Sequence, residues 1–304
     1  MDLRDVEYFA VVAEHGHVGR AAEALGLGQP ALSMSLRRLE KSAQAKLVKR
    51  TPKGVELTAV GAALLSHVRR LRLARDDLAR EVADLAHGRA GHLRIGAGPA
   101  TAEGFLPEAC SALLKDAPKV TLNTAVSNTH AVLRALSNGE LDIVVSHIWQ
   151  VPSQDLNHEP LWDDEFVVSA SINHRLARRK SVTLGDLAQE RWAITAAGAH
   201  TSGQLLHRTF EDCGLPPPQI ALVSDSLILR RRMVASSSLL DFSSKQTIKA
   251  VAPHLRLAIL PVKDMKWIRP VAAFYRKDTY LSPAAKRFIE ILKETAKEIA
   301  AEKP

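Results

Sequence analysis

Residues Gly19 to Glu40, GRAAEALGLGQPALSMSLRRLE, leave the surrounding chain little structural freedom. Arg20 to Leu25 are strong helix formers. Gly26 ends that helix at low steric cost, because glycine adopts the left-handed conformation readily. Gln29-Pro30 opens a second helix, since proline suits a first helical turn. Leu32, Leu36 and Leu39 then recur at helical spacing and form one apolar face. The opposite face holds Gln29, Ser33, Met34, Arg37 and Arg38. Two short helices around a glycine turn describe a helix-turn-helix. Its second helix is expected in the major groove of double-stranded DNA, with its first residues at the base edges. Gln29, Ser33 and Met34 are the candidates for those contacts, and Pro30 packs at the helix start.

The flanks extend this reading. Asp2 to Glu14 is a helix with Leu3, Val6, Phe9 and Val12 one turn apart. His15 and His17 sit in a turn and lack acidic or cysteine neighbours at metal-ligand spacing. Leu47 to Arg50 and Gly54 to Leu57 read as two short strands joined by Thr51-Pro52-Lys53, a wing. Seven basic residues and one acid lie between Arg37 and Lys53. Residues 91–304 hold 26 basic and 22 acidic residues, so that far longer part contributes only +4 of the net +8. A basic cluster beside a helix-turn-helix is the electrostatic footprint of phosphate contact. Arg37, Arg38, Lys49, Arg50, Thr51 and Lys53 are therefore assigned to phosphates or the minor groove. One of Arg37 and Arg38 is expected to pair with Glu40 or Glu14 instead.

Thr58 is expected to cap a long helix running to about His87. Leu64, Val68, Leu71, Leu78, Val82 and Leu85 alternate by fours and threes, with Arg75 at the one missing position. That heptad seam favours pairing with a second copy. A dimer suits the helix-turn-helix, because two recognition helices one DNA turn apart read a two-fold site. Gly88-Arg89-Ala90-Gly91 then breaks the helix.

Beyond it, strand patterns alternate with helix patterns, which predicts an open, mostly parallel α/β sheet. Strands are expected at His92–Ala97, Val120–Val126, Leu141–Ser146, Glu165–Ala170, Trp192–Thr195, Gln219–Val223 and Leu239–Phe242, with late ones at Leu255–Leu260 and Arg269–Tyr275. Crossing segments near Trp162 and Trp267 divide this part into two lobes around a cleft. The expected domains are 1–57 (winged helix-turn-helix), 58–88 (linker helix for dimerisation) and 89–304 (two lobes, 91–161 with 267–304, and 162–266). Ligands of open α/β sheets sit beyond the carboxyl ends of the strands, beside helix N-termini that favour anions. The loops there carry Thr101, Asn128, Ser146, His147, His200 and Thr201. Helix capping explains Thr101 and Asn128 equally well, and His147 and His200 either donate to a ligand or line a wet cleft.

Two stretches carry a family resemblance. AAEALGLGQPALSMSLRRLE with LVKRTPKGVELTAVGAALL resembles the DNA-binding domain of LysR-type transcriptional regulators. GHLRIGAG through the Glu159-Pro-Leu-Trp-Asp-Asp-Glu segment to Ile194 resembles their effector domain, which is similar to periplasmic binding proteins. Gly28, Met34 and Val48 depart from the usual Ser or Thr, Arg and Phe. Ser236-Ser237-Ser238 replaces a glycine-containing run. The resemblance implies an α/β protein with an N-terminal all-α winged helix-turn-helix. It also places ligand contacts at Ala100 or its neighbour Thr101, and at Thr129. The implied partners are DNA, a small organic acid effector, and further copies in a homodimer or homotetramer; RNA polymerase stays open as a further partner.

Other function classes find less support. No Gly-x-Ser-x-Gly elbow, Gly-x-x-x-x-Gly-Lys phosphate loop or His-Glu-x-x-His occurs, so no enzyme activity and no cofactor are expected. Asp163-Asp164-Glu165 reads as an exposed turn before a strand, not a metal site. No run of eighteen apolar residues predicts a membrane span. No secretory signal is read at the N-terminus, and Cys110 and Cys213 read as reduced core thiols, so a cytoplasmic location is expected.

Overall fold

The computed structural model describes residues 1–52, 54–87, 91–148, 154–195, 202–263, 266–277 and 279–301, without the side chains of 80, 83–87 and 299–301. Lys53, His200, Thr201 and most of the glycine-containing break at 88–91 thus lie outside the described residues. The chain divides into two units, Met1–Val82 and Ala83–Pro304.

In the first unit, α1 (Leu3–His15) is capped by Asp2, whose carboxylate accepts the Arg4 N–H at 2.8 Å. Helices α2 (Val18–Ala24) and α3 (Gln29–Ala43) follow, then β1 (Val48–Thr51) and β2 (Gly54–Leu57). Val6, Phe9, Leu36, Leu39, Leu47, Leu65 and Val68 form the main core; Val12, Val18, Ala21, Ala22 and Leu32 form a second one. His17 Nδ1 accepts the Gly19 N–H at 3.1 Å and caps α2, a structural use for a turn histidine. The wing is pinned to the turn after α1, where the Val55 N–H donates to the Gly16 carbonyl at 2.8 Å. A Cβ on Gly54 would lie 2.2 Å from that carbonyl oxygen, so only glycine permits the approach.

Helix α4 (Ala59–His87) starts at Thr58, whose Oγ1 accepts the Gly61 N–H at 3.0 Å and donates to the Lys46 carbonyl at 2.6 Å. Its heptad seam splits into two parts. Val68 is buried in this unit's own core, whereas Leu71, Leu78 and Val82 are each more than half exposed. Arg72 clamps α4 to α1, donating from Nε to Glu7 at 2.7 Å and from Nη1 to Glu14 at 2.6 Å.

The second unit is one mixed sheet covered by helices. In chain order it contains β3 (His92–Ala97), α5 (Pro99–Gly104), α6 (Leu106–Asp116), β4 (Thr121–Val126), α7 (Thr129–Ser137), β5 (Ile143–His147) and β6 (Leu156–Ser171). Then follow α8 (Leu184–Ala188), β7 (Arg191–Ile194), α9 (Ser202–Asp212), β8 (Gln219–Val223), α10 (Leu227–Ala235), β9 (Leu240–Ser244) and α11 (Lys245–Leu255). Last come β10 (Leu257–Ile259), β11 (Trp267–Arg276) and α12 (Pro283–Ala301). The strand order is β4-β3-β5-β11-β6-β9-β7-β8, with β10 on β6.

The sheet is not mostly parallel, as the alternating pattern predicts. Parallel trios β4-β3-β5 and β9-β7-β8 are joined through antiparallel pairings of β6 and β11. Those two long strands serve both cores. Trp162 of β6 packs with Leu93, Ile95, Phe105 and Phe288, while Phe166 and Val168 pack with Trp192, Phe210 and Phe242. The first half of β6 escapes the sequence pattern because Pro160 interrupts it. The proline falls where the β6–β11 register shifts, between Val271 and Ala272, a place that tolerates a missing N–H. Asp163, Asp164 and Glu165 therefore belong to this strand and not to an exposed turn. Cys213 is likewise exposed rather than a core thiol, whereas Cys110 is half-buried, and burial raises its pKa to about 11.

Candidate DNA interface and effector cleft

Helix α3 has no side-chain cap, because Gly28 precedes it and offers no oxygen. The unsatisfied N–H groups of its first turn remain available to an anion such as a phosphate. Gln29, Pro30, Met34, Arg37 and Arg38 are exposed and Ser33 is half-buried, so the polar face read from the sequence points away from the core. Lys49 and Arg50 are exposed on β1, and Thr51 Oγ1 closes the wing turn on the Gly54 carbonyl at 3.4 Å.

The acids beside this face do more than expected. Arg38 pairs with Asp5, not with Glu40 or Glu14: Nη2 reaches Oδ1 at 2.6 Å and Nε reaches Oδ2 at 3.1 Å. The Arg38 guanidinium, reinforced by the Ser35 hydroxyl, holds the Asp5 carboxyl below its ordinary range against the opposing effect of burial. Glu40 accepts Lys46 Nζ at 2.7 Å and the Leu47 N–H at 3.0 Å. Burial pushes the Glu40 pKa up, but these donors outweigh it and the net shift is downward.

In the second unit, β3 and β5 end side by side at Gly98 and Ser146. Thr129 Oγ1 and Ser146 Oγ lie 2.7 Å apart, and a Cβ on Gly98 would come within 3.1 Å of Ser146 Oγ. Backbone, two hydroxyls and the N-terminus of α7 thus converge. Asn128 caps α7, its Oδ1 accepting the Ala131 N–H at 2.9 Å. Thr101 turns inward: its hydroxyl is shared between the Gly98 and Val145 carbonyls at 2.9 and 2.8 Å. It therefore fixes the first loop, while Ala100 stays half-buried beside it. His147 is buried and anchored, with Nε2 2.9 Å from Asp164 Oδ2 and its ring edge-on to Phe166. Asp164 Oδ1 accepts the Ser244 hydroxyl at 3.0 Å. This network ties β5 to β6 and β9.

Two consecutive arginines of α10 complete the wall. Arg230 Nε donates to Asp241 at 2.7 Å and its Nη1 to the Ser224 carbonyl at 3.0 Å, which fixes the loop after β8. Arg231 bonds Glu103 of α5, from the opposite side of the cleft, and Thr247 Oγ1 at 2.7 Å. Neither arginine stands out in the sequence. The one signal is Asp241 inside Leu239-Leu240-Asp241-Phe242, because a carboxylate in an apolar strand requires a cationic partner.

Comparison with known proteins identifies the two parts of the chain. Residues 3–62 match the family model for bacterial regulatory helix-turn-helix proteins of the lysR family, and residues 86–297 match the LysR substrate binding domain. The SDS degradation transcriptional activation protein of Pseudomonas sp. (strain ATCC 19151) is 31% identical over 265 residues, covering 85% of this chain and 84% of its own. The HTH-type transcriptional regulator CbbR of Xanthobacter flavus is 28% identical over 291 residues, covering 95% and 86%. The fold is shared with full-length CbnR, solved in complex with its target DNA, at 20% identity, a TM-score of 0.67 and coverage of 97% of this chain and 100% of that one. Among the described residues no helix is long and apolar enough to cross a membrane. The chain belongs to the LysR family: it is a DNA-binding transcriptional regulator with a substrate-binding effector domain, and not an enzyme.

Proposed function

We propose that this regulator binds a two-fold DNA site as a dimer, or a pair of dimers, and is switched by a small organic anion in the bacterial cytoplasm. The observation that carries the DNA reading is the exposed α3 face from Gln29 to Arg38 beside the basic strand β1. Gln29, Ser33 and Met34 read base edges, and Arg37, Lys49, Arg50, Thr51 and Lys53 meet phosphates or the minor groove. Residues 58–88 act as the dimerisation linker; the exposed Leu71, Leu78 and Val82 at heptad positions support that role. The effector domain spans 89–304, with lobes at 91–161 plus 267–304 and at 162–266. Between them Ala100, Asn128, Thr129, Ser146 and His147 contact the anion, together with His200 and Thr201. Binding shifts the balance of lobe arrangements only as far as the anion prefers one of them.

Footprinting upstream of the protein's own gene, with and without a panel of aliphatic and aromatic acids, tests this. A two-fold footprint whose length or bend responds to one acid is the expected result. A footprint indifferent to every acid would remove the anion switch and leave the DNA reading standing.

A further inference from the structure

Asp5 lies on α1, outside the recognition helix, yet its carboxylate is only 4% exposed and is filled by recognition-helix donors. Its Oδ1 accepts the Ser35 hydroxyl and Arg38 Nη2, each at 2.6 Å, and its Oδ2 accepts Arg38 Nε at 3.1 Å. The acid is enclosed while the Arg38 side chain is 64% exposed. The partner that holds is therefore fixed by the core, and the partner that is held stands at the surface. A two-point contact fixes the guanidinium plane as a single bond cannot. It uses the Nε–Nη2 edge and leaves Nη1 out of the contact. Arg37, the next residue, has no carboxylate partner among the described residues. Two adjacent arginines on one helix thus differ in kind: one an exposed charge with no carboxylate partner among the described residues, the other an aimed and compensated one.

We infer that Asp5 is a positioning residue for DNA recognition, which fixes the direction of Arg38 and cancels its charge. Arg38 then acts as a directed hydrogen-bond donor and adds almost nothing to the counterion release that drives sequence-independent binding. Such an arrangement lowers affinity for arbitrary DNA and keeps the contact for sites whose backbone or bases meet it in register. The inference rests on the reading of α3 as the DNA-facing helix.

The test uses the full-length protein, a duplex of scrambled sequence and a salt titration followed by fluorescence anisotropy. Asp5→Asn keeps the shape and an acceptor for Ser35 but removes the charge. It should tighten binding at low salt and steepen the slope of log K against log salt by about 0.9 for each DNA-binding unit engaged. The double variant Asp5→Asn, Arg38→Gln, which removes both charges together, should return to the wild-type slope. A merely structural role for Asp5 would weaken binding and leave the slope alone. A slope that falls by about 0.9 below wild type in the double variant would show that Arg38 carries its full charge to a phosphate despite Asp5, and would overturn the inference. Equal slopes in all three proteins would do the same, by placing Arg38 outside the interface. Should Asp5→Asn not fold, the double variant, which leaves no enclosed charge unpaired, is read instead: a wild-type slope with weaker binding is the expected result, and a wild-type slope with unchanged binding would overturn the inference by placing Arg38 outside the interface. Wild-type binding with no salt dependence would overturn the DNA-facing reading of α3 itself.

Discussion

The ion pairs beside the recognition helix and those in the wall of the cleft are built in opposite senses. Beside α3 the acids are inside and the bases outside: side-chain exposure is 5% for Asp5 against 64% for Arg38, and 9% for Glu40 against 77% for Lys46. In α10 the bases are inside: Arg231 is 2% exposed against 41% for Glu103, and Arg230 and Asp241 are both enclosed. A buried member sets what its surface must do. Buried acids hold cations outward, toward a polyanion. Buried guanidiniums require carboxylates, and of the two, Arg231 draws its carboxylate from the other side of the cleft.

The largest effect expected from this contrast is at Asp241. Removing it strands Arg230 in the core, and breaking a buried pair costs about 3–5 kcal/mol. Urea unfolding of Asp241→Ala should show a loss of that size, and a loss below about 1 kcal/mol would mean that Arg230 finds another partner. The next effect is asymmetric within one pair. Glu40→Ala leaves the buried Leu47 N–H unsatisfied and should cost about 1–3 kcal/mol, whereas Lys46→Ala should cost about 0–1 kcal/mol. Equal losses in the two variants would break the distinction between inside and outside partners.

The smallest effect is one of pH. Asp5 and Glu40 both have folded pKa values below their ordinary 3.8 and 4.5. A depressed carboxyl pKa stabilises the fold above the unfolded value, and that contribution disappears as pH falls through the folded value. The first unit should therefore hold a constant stability near neutrality and lose part of it below roughly pH 4.5, earlier than the double variant Asp5→Asn, Glu40→Gln loses any. Hydrogen exchange of α1 and α3 peptides across that window measures it, and identical acid profiles would remove these two groups as the cause.

The helix-turn-helix was legible because its determinants are contiguous: a glycine turn, Gln29-Pro30 and three leucines settle it locally. The partners of its charges were not. Asp5 is 33 residues from Arg38, and nothing in the α1 pattern marks it as a carboxylate aimed at α3. The cleft was legible only as a set of loops. Pairing decided which hydroxyls face outward, so Thr101 went to the backbone while Thr129 and Ser146 met each other. Glu103 and Arg231 lie 128 residues apart and come together only through the crossing strands. Those strands were half hidden, because Pro160 masks the alternation of β6.

The clamp from Arg72 to Glu7 and Glu14 holds α4 near its middle, so the part from Ala59 to Arg72 is anchored and only the part beyond Arg72 can act as an arm. From Arg72 to His87 that arm is about 22 Å long at 1.5 Å per residue. A tilt of only about 5° moves its far end by about 2 Å, more than half the 3.4 Å rise of one nucleotide along a DNA strand. Mechanical advantage of this kind needs no hinge inside the DNA-binding unit, only a stiff arm and a joint that does not slip.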